Sequence, residues 1–171
     1  MTENNLAGLL LAWYEQHGRE LPWRVKGGAH PDPYVILVSE LMLQQTTVKT
    51  VIPYFHRFMK RFPTVKDLAE ATQEEVYFYW QGLGYYTRAR SLHATARLVM
   101  EKFNGRFPER REDVLKLKGI GPYTVASFLA LAFNQPETVV DGNVIRVISR
   151  LFRLTEPVSE ILPQIREKAA G

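Results

Sequence analysis

Two carboxylates stand in surroundings that would hold one as an acid and the other as an anion. Glu40 lies within "PYVILVSELMLQQTTVKTVIP", residues 33 to 53, and is the only carboxylate between Asp32 and Asp67. On a helical wheel Val35, Ile36, Leu37, Val38, Leu41, Met42 and Leu43 cover nearly the whole circumference, the pattern of a helix buried on most sides. A carboxyl among apolar groups resists ionisation, so its pKa is expected to rise and to suit a general acid near neutral pH. A buried glutamate paired with an arginine is the plain alternative. Asp141, in "TVVDGNVIRVISRLFRL", precedes a helix whose apolar stripe is Val144, Val147, Ile148 and Leu151, with Arg146, Arg150 and Arg153 on the opposite face. Capping that helix is a sufficient role for Asp141 by itself. Backbone N–H bonds would also keep it ionised. A neutral carboxyl and an anionic one are what cleavage of a glycosidic bond uses.

Two further stretches suit a polyanion. "LKGIGPYTVASFLALAF", residues 117 to 133, puts a glycine turn ahead of an apolar helix with Pro122 at its first position. Such a turn leaves backbone N–H groups unblocked by side chains, and the helix start attracts phosphate. An ordinary corner between two helices would look the same. "WQGLGYYTRARSLH" sets Trp80, Tyr85 and Tyr86 beside Arg88 and Arg90, and "LQQTT" follows Glu40 by one turn. Flat rings next to guanidiniums suit wedging into a base stack while gripping its backbone. They equally suit core rings with a solvated basic face.

The elements that must position these residues read as helices, with almost no strand signal. Leu6, Leu9, Leu10 and Trp13 fall at helical spacing and Gly18 sits where that helix would stop. Pro53 is expected to open a helix with Phe55, Phe58, Met59 and Phe62 on one face. Thr72 and Glu75 have the spacing of a capping box, with Gly82 closing that helix. Further helices are expected near 87–103, 110–117, 122–133 and 143–153, joined by short connections. At 171 residues, 46% hydrophobic and 23% charged, the chain has the size and composition of about one globular domain. Its longest apolar run, Phe128 to Phe133, is far short of the ~20 residues a bilayer needs. The first residues lack a secretory pattern, which leads to the expectation of a cytoplasmic protein. Cysteine is absent and the four histidines are scattered, so no metal site is expected from these residues. The net charge of +4 and the sequence pI near 9.4 fit a polyanion partner.

Taken in order, "LPWR" (21–24), "SELMLQQT" (39–46), "VIPYFHRFMKRFPT" (51–64), "GLGYYTRAR" (82–90), "LKGIGPYT" (117–124) and "VDGNVIRV" (140–147) resemble the MutY-type adenine DNA glycosylases of the helix-hairpin-helix superfamily. The resemblance covers about residues 5 to 155. It implies an all-α fold, a six-helix barrel plus part of a second helical lobe, and a monomer acting on double-stranded DNA that carries a mispaired adenine. Residues 1–27 would be the N-terminal helix and a segment of the second lobe. Residues 28–138 would be the barrel, with the hairpin at about 110–133, and 139–171 the start of the return into the second lobe. Glu40 matches the acid that protonates adenine at N7, Asp141 the carboxylate that stabilises the sugar cation, and Asn143 a supporting residue. Tyr123 stands where strand-cleaving relatives hold a nucleophilic lysine. Arg19, Leu21, Trp23 and Val48 match the base pocket; Gln45 and Tyr86 match the residues that fill or wedge the opened stack. Gln44, Thr46, Tyr85, Arg88, Arg90, Lys118, Gly119, Gly121, Tyr123 and Thr124 complete the expected DNA contacts, and the resemblance allows a monovalent cation at the hairpin.

The chain departs from that pattern at its C-terminal end. The family continues into helices bearing four cysteines around a 4Fe–4S cluster and then into a domain that reads 8-oxoguanine. Here the sequence reaches Gly171 without a cysteine. The expectation is a chain truncated before the cluster region, retaining the barrel but marginally stable and weak on DNA, with its activity left open. A superfamily glycosylase for thymine or uracil mismatches, and a non-catalytic DNA-binding remnant, are the alternatives.

Overall fold

Asp32 starts the helix that carries Glu40. Its Oδ1 accepts the Tyr34 N–H at 2.8 Å, and Pro33 takes the first helical position, where a missing N–H costs nothing. The computed structural model describes residues 3–25 and 30–170, residues 3–5 by their backbone alone. Among the described residues there are ten helices and no strand: α1 (Glu3–His17), α2 (Pro33–Leu43), α3 (Val48–Arg61), α4 (Val65–Glu70), α5 (Gln73–Trp80), α6 (Tyr86–Phe103), α7 (Arg111–Val114), α8 (Pro122–Phe133), α9 (Gly142–Leu151) and α10 (Val158–Ala170). The fold is all-α, as the helical periodicities require.

The chain divides into two units, Val25–Val139 and the pair of segments Met1–Arg24 and Val140–Gly171. The boundary expected between residues 27 and 28 lies outside the described residues. In the larger unit α2 packs against α3, α6 and α8, while α4 and α5 lie against α6. Val38, Leu41 and Met42 of α2, Phe58 of α3, Trp80 of α5, Leu92 of α6 and Phe128 and Leu129 of α8 are fully buried. Each large apolar side chain so buried contributes about 1.5–3 kcal/mol. In the smaller unit α9 packs against α10, whose Ile161 and Ile165 are buried.

Several local expectations are corrected. Pro53 lies inside α3 rather than opening it, because Thr47 starts the helix earlier by accepting the Thr50 N–H. Thr72 caps α5 from one side only, whereas Thr64 and Asp67 form the complete reciprocal box at α4. The helix expected over 110–117 is the single turn α7; beyond it Lys116 and Leu117 bond to the carbonyls of Asp113 and Val114, the tighter i to i+3 pattern. No correction applies to the apolar stripes of α1 and α9, where Leu9, Leu10, Trp13, Val147 and Leu151 are all exposed.

Candidate functional site

Glu40 sits on the third turn of α2, part-buried, between Ser39 (1% exposed) and Leu41 (0%). Burial raises its carboxyl pKa above the ordinary 4.5, and the hydroxyl of Ser127 on α8 opposes this with a hydrogen bond. Two close-packed helices, α2 and α8, are therefore needed to make this acid. Ser127 is itself buried, a lone hydroxyl in an otherwise greasy turn of α8.

The hairpin between α7 and α8 is fixed by contacts with α6. Thr95 accepts the Lys118 N–H at 2.8 Å and its hydroxyl reaches the Lys118 carbonyl at 3.1 Å. Gly119 has φ +74°, and a Cβ there would meet the Ser91 Cβ at 2.5 Å, so only glycine fits. Gly121 provides no side-chain cap to α8, and Pro122 follows at its first position. The positive end of α8 thus begins at an exposed turn whose backbone is not covered by side chains. Tyr123 is 45% exposed beside it, whereas Thr124 is buried and accepts a 3.5 Å hydrogen bond from Gln44 Nε2. The Thr124 side chain faces inward, against the end of α2. Lys118 and Arg90 are exposed and line one groove with His93, Arg97 and Glu101.

Arg88, on the same stretch as Arg90, lies inside the fold: it is 8% exposed and its donors point to the carbonyls of Leu41, Met42, Gln44, Leu83 and Gly84. Those carbonyls end α2 and form the "GLG" turn, where no helical N–H reaches them, so the buried cation satisfies them instead. Tyr85 and Tyr86, by contrast, are 61% and 41% exposed, and Gln45 is exposed at the tip of its loop. Tyr86 leans edge-on against Tyr77, with ring centroids 5.4 Å apart.

In the smaller unit Asp141 caps α9. Oδ1 accepts the N–H groups of Asn143 at 2.9 Å and Val144 at 2.8 Å, and Oδ2 accepts the Asn143 side-chain amide at 3.0 Å. Partial burial pushes its carboxyl up, but the bonds from Val144 and Asn143 outweigh burial and hold it below the ordinary 3.8. Arg146 Nη2 in turn donates to Asn143 Oδ1 at 3.1 Å, fixing that amide's orientation. Arg19, exposed, Leu21, half-buried, and Trp23, buried, belong to this unit, while Val48 opens α3 in the larger one.

The family model for the HhH-GPD superfamily of base excision DNA repair proteins matches residues 38–170, most of the chain. The chain belongs to this superfamily. Among curated superfamily relatives, the adenine DNA glycosylase of Buchnera aphidicola (subspecies Baizongia pistaciae) is 44% identical over 85% of this chain and 40% of that protein. The adenine DNA glycosylase of Rattus norvegicus is 49% identical over 83% and 28%, and that of Homo sapiens 44% over 92% and 30%. The chain spans less than half the length of these relatives. A solved thermostable thymine-DNA glycosylase superposes with a TM-score of 0.81 at 29% identity, covering 97% of this chain and 77% of that one. An endonuclease III trapped on DNA superposes at 0.73 and 23% identity, over 98% of this chain and 76% of that one, which establishes a shared fold.

The cluster that the resemblance implies does not fit this superfamily member's residues. A 4Fe–4S centre is held by four cysteine thiolates; the chain has none, and among the described residues no three His, Asp or Glu side chains converge. For a cation at the hairpin the chain offers main-chain carbonyls, of which that of Lys118 already accepts from Thr95. Sequence reasoning missed Ser127, Thr95 and Arg146. Ser127 had a signal, a serine inside the apolar stretch from Val125 to Phe133; Arg146 had another, its i+3 spacing from Asn143; Thr95 had none.

Proposed function

We propose that this chain removes adenine from double-stranded DNA, where the base is mispaired with 8-oxoguanine or guanine, by hydrolysing its N-glycosidic bond. The observation that carries this reading is Glu40, a carboxyl whose pKa burial raises within the helix α2. The relatives named adenine DNA glycosylases, 44–49% identical over more than four fifths of the chain, support the choice of base.

Adenine departs poorly as an anion, so the reaction needs a proton on the ring before or as the bond breaks. Glu40 supplies it at N7, and acid catalysis of this kind contributes about 10²–10⁴ in rate. The sugar then acquires oxocarbenium character, and Asp141, held ionised by its N–H bonds, stabilises that charge or adds to it before water completes hydrolysis. Asn143 and Arg146 keep the Asp141 carboxylate oriented. Tyr123 carries a phenol where a Schiff base would need an amine, so base removal without efficient strand cleavage follows. The hairpin at 117–121 holds a phosphate through its amides, Gln45 and Tyr86 fill or wedge the opened stack with Tyr85 contacting DNA beside them, and Arg19, Leu21, Trp23 and Val48 contact the flipped base.

The test is adenine release by the purified chain from duplexes carrying A, T or U opposite guanine or 8-oxoguanine. Release of adenine, lost in Glu40→Gln with DNA affinity retained, is expected. The likeness to the thymine-DNA glycosylase favours a second reading, in which thymine opposite guanine is the base released. Duplex binding with no base released by the wild type would instead leave a non-catalytic DNA-binding module.

A further inference from the structure

Arg88 connects two loops that are distant in sequence. Its Nη1 donates to the carbonyls of Leu41 at 2.9 Å, Met42 at 3.0 Å and Gln44, and reaches Thr46 Oγ1 at 3.4 Å. Its Nη2 donates to the carbonyls of Leu83 and Gly84, each at 3.3 Å. One terminal nitrogen thus holds the loop that follows α2 and the other holds the turn that precedes α6. The guanidinium also lies 5.6 Å from the Trp80 ring centroid and 5.4 Å from that of Tyr85, and Trp80 Nε1 donates to the same Gly84 carbonyl at 3.1 Å.

The residues between these anchor points are unusual. Gln45 has φ 56° and Tyr85 has φ 47°, both in the left-handed region that side chains other than glycine rarely occupy. Such conformations persist where the surroundings over-determine them. Both side chains are exposed. Each loop therefore presents one solvent-facing tip on a constrained backbone, and both constraints end on the same buried cation.

We propose that Arg88 is a positioning residue that locks the Gln45 and Tyr85 tips into one rigid element, so that the two enter the DNA stack together. This rests on the glycosylase reading above. Lysine keeps the charge but has a single nitrogen, without the planar fork that reaches both loops at once. Arg88→Lys therefore separates the lock from the charge.

Hydrogen exchange on the full chain tests the lock without DNA. In Arg88→Lys, amides in segments 43–47 and 82–86 are expected to exchange faster together; acceleration in only one segment, or in neither, overturns the proposal. Should the variant fail to fold, the wild type under mild urea supplies the answer, since the two segments should open in one step with one urea dependence. Separate opening steps would overturn it. With DNA, Arg88→Lys should lower excision of adenine paired with 8-oxoguanine by about 10²-fold, and lower excision of adenine facing an abasic site far less, because that base is already unpaired. An equal fall on both substrates would mark Arg88 as merely structural and sink the positioning role. A wild type that releases no adenine counts against the function reading alone, because the exchange measurements still decide the lock.

Discussion

Glu40 and Asp141 carry the same functional group, on different units of the chain, and their pKa values move in opposite directions. Glu40 sits mid-helix, where the backbone N–H groups are already committed to carbonyls and a side chain finds few donors. Burial therefore dominates, with only the Ser127 hydroxyl in opposition. Asp141 sits one residue before a helix, where N–H groups lack acceptors, and three donors converge on it. Position within a helix, rather than the identity of the acid, sets the direction in which each carboxyl's pKa moves.

The largest expected effect tests whether the two roles differ. Glu40→Gln should lower adenine excision by about 10²–10⁴-fold. Asp141→Asn should also impair excision while keeping the α9 cap, because asparagine caps helices as well as aspartate does. Single-turnover kinetics and urea melts of both variants check this, and equal activity of Glu40→Gln and wild type would end the comparison.

Stability against pH sharpens it next. With a folded pKa above 4.5, Glu40 places no penalty on folding below that value and an increasing one as pH rises through the folded pKa. Glu40→Gln should therefore be more stable than wild type at pH 7, by about 1.4 kcal/mol for each unit by which the pKa is raised. The gap should close near pH 4. A gap independent of pH would mean that Glu40 titrates normally.

Asp141 should behave in the opposite sense. Asp141→Ala should cost about 1 kcal/mol through loss of the α9 cap. The ionised carboxylate stabilises the fold above pH 3.8, and this contribution is lost as pH falls through the depressed folded pKa. Denaturant melts of Asp141→Ala and wild type should therefore converge in acid. The smallest effect is that of Ser127→Ala. Removing the hydroxyl that favours the charged form should move the alkaline limb of the kcat/KM profile to higher pH, and a downward movement would show that Ser127 does not bond Glu40 as described.

Much of this was legible in the residues. α8 follows its expected bounds because Pro122 and Asn134 punctuate an apolar run, and α6 begins within a residue of its expected start. The raised acid and the capping acid were also readable, the first from the apolar wheel of α2 and the second from "VDGNV" ahead of an amphipathic stretch. The burial of Arg88 was not readable, since its neighbours in sequence, Tyr85, Tyr86 and Arg90, are polar or amphipathic and are all exposed in the fold. Its acceptors Leu41, Met42 and Gln44 lie more than forty residues away and leave no local trace.

The sequence by itself determined most of the longer helices, the glycine at the hairpin and the identities of the two carboxylates, since periodicity, caps and turns depend on residues a few positions apart. Only the tertiary structure decided that Ser127 meets Glu40, that Thr95 pins the hairpin and that Arg88 faces inward. Each of these joins one helix to another segment of chain, and such pairings are set by the packing of whole elements, which no short stretch of sequence contains.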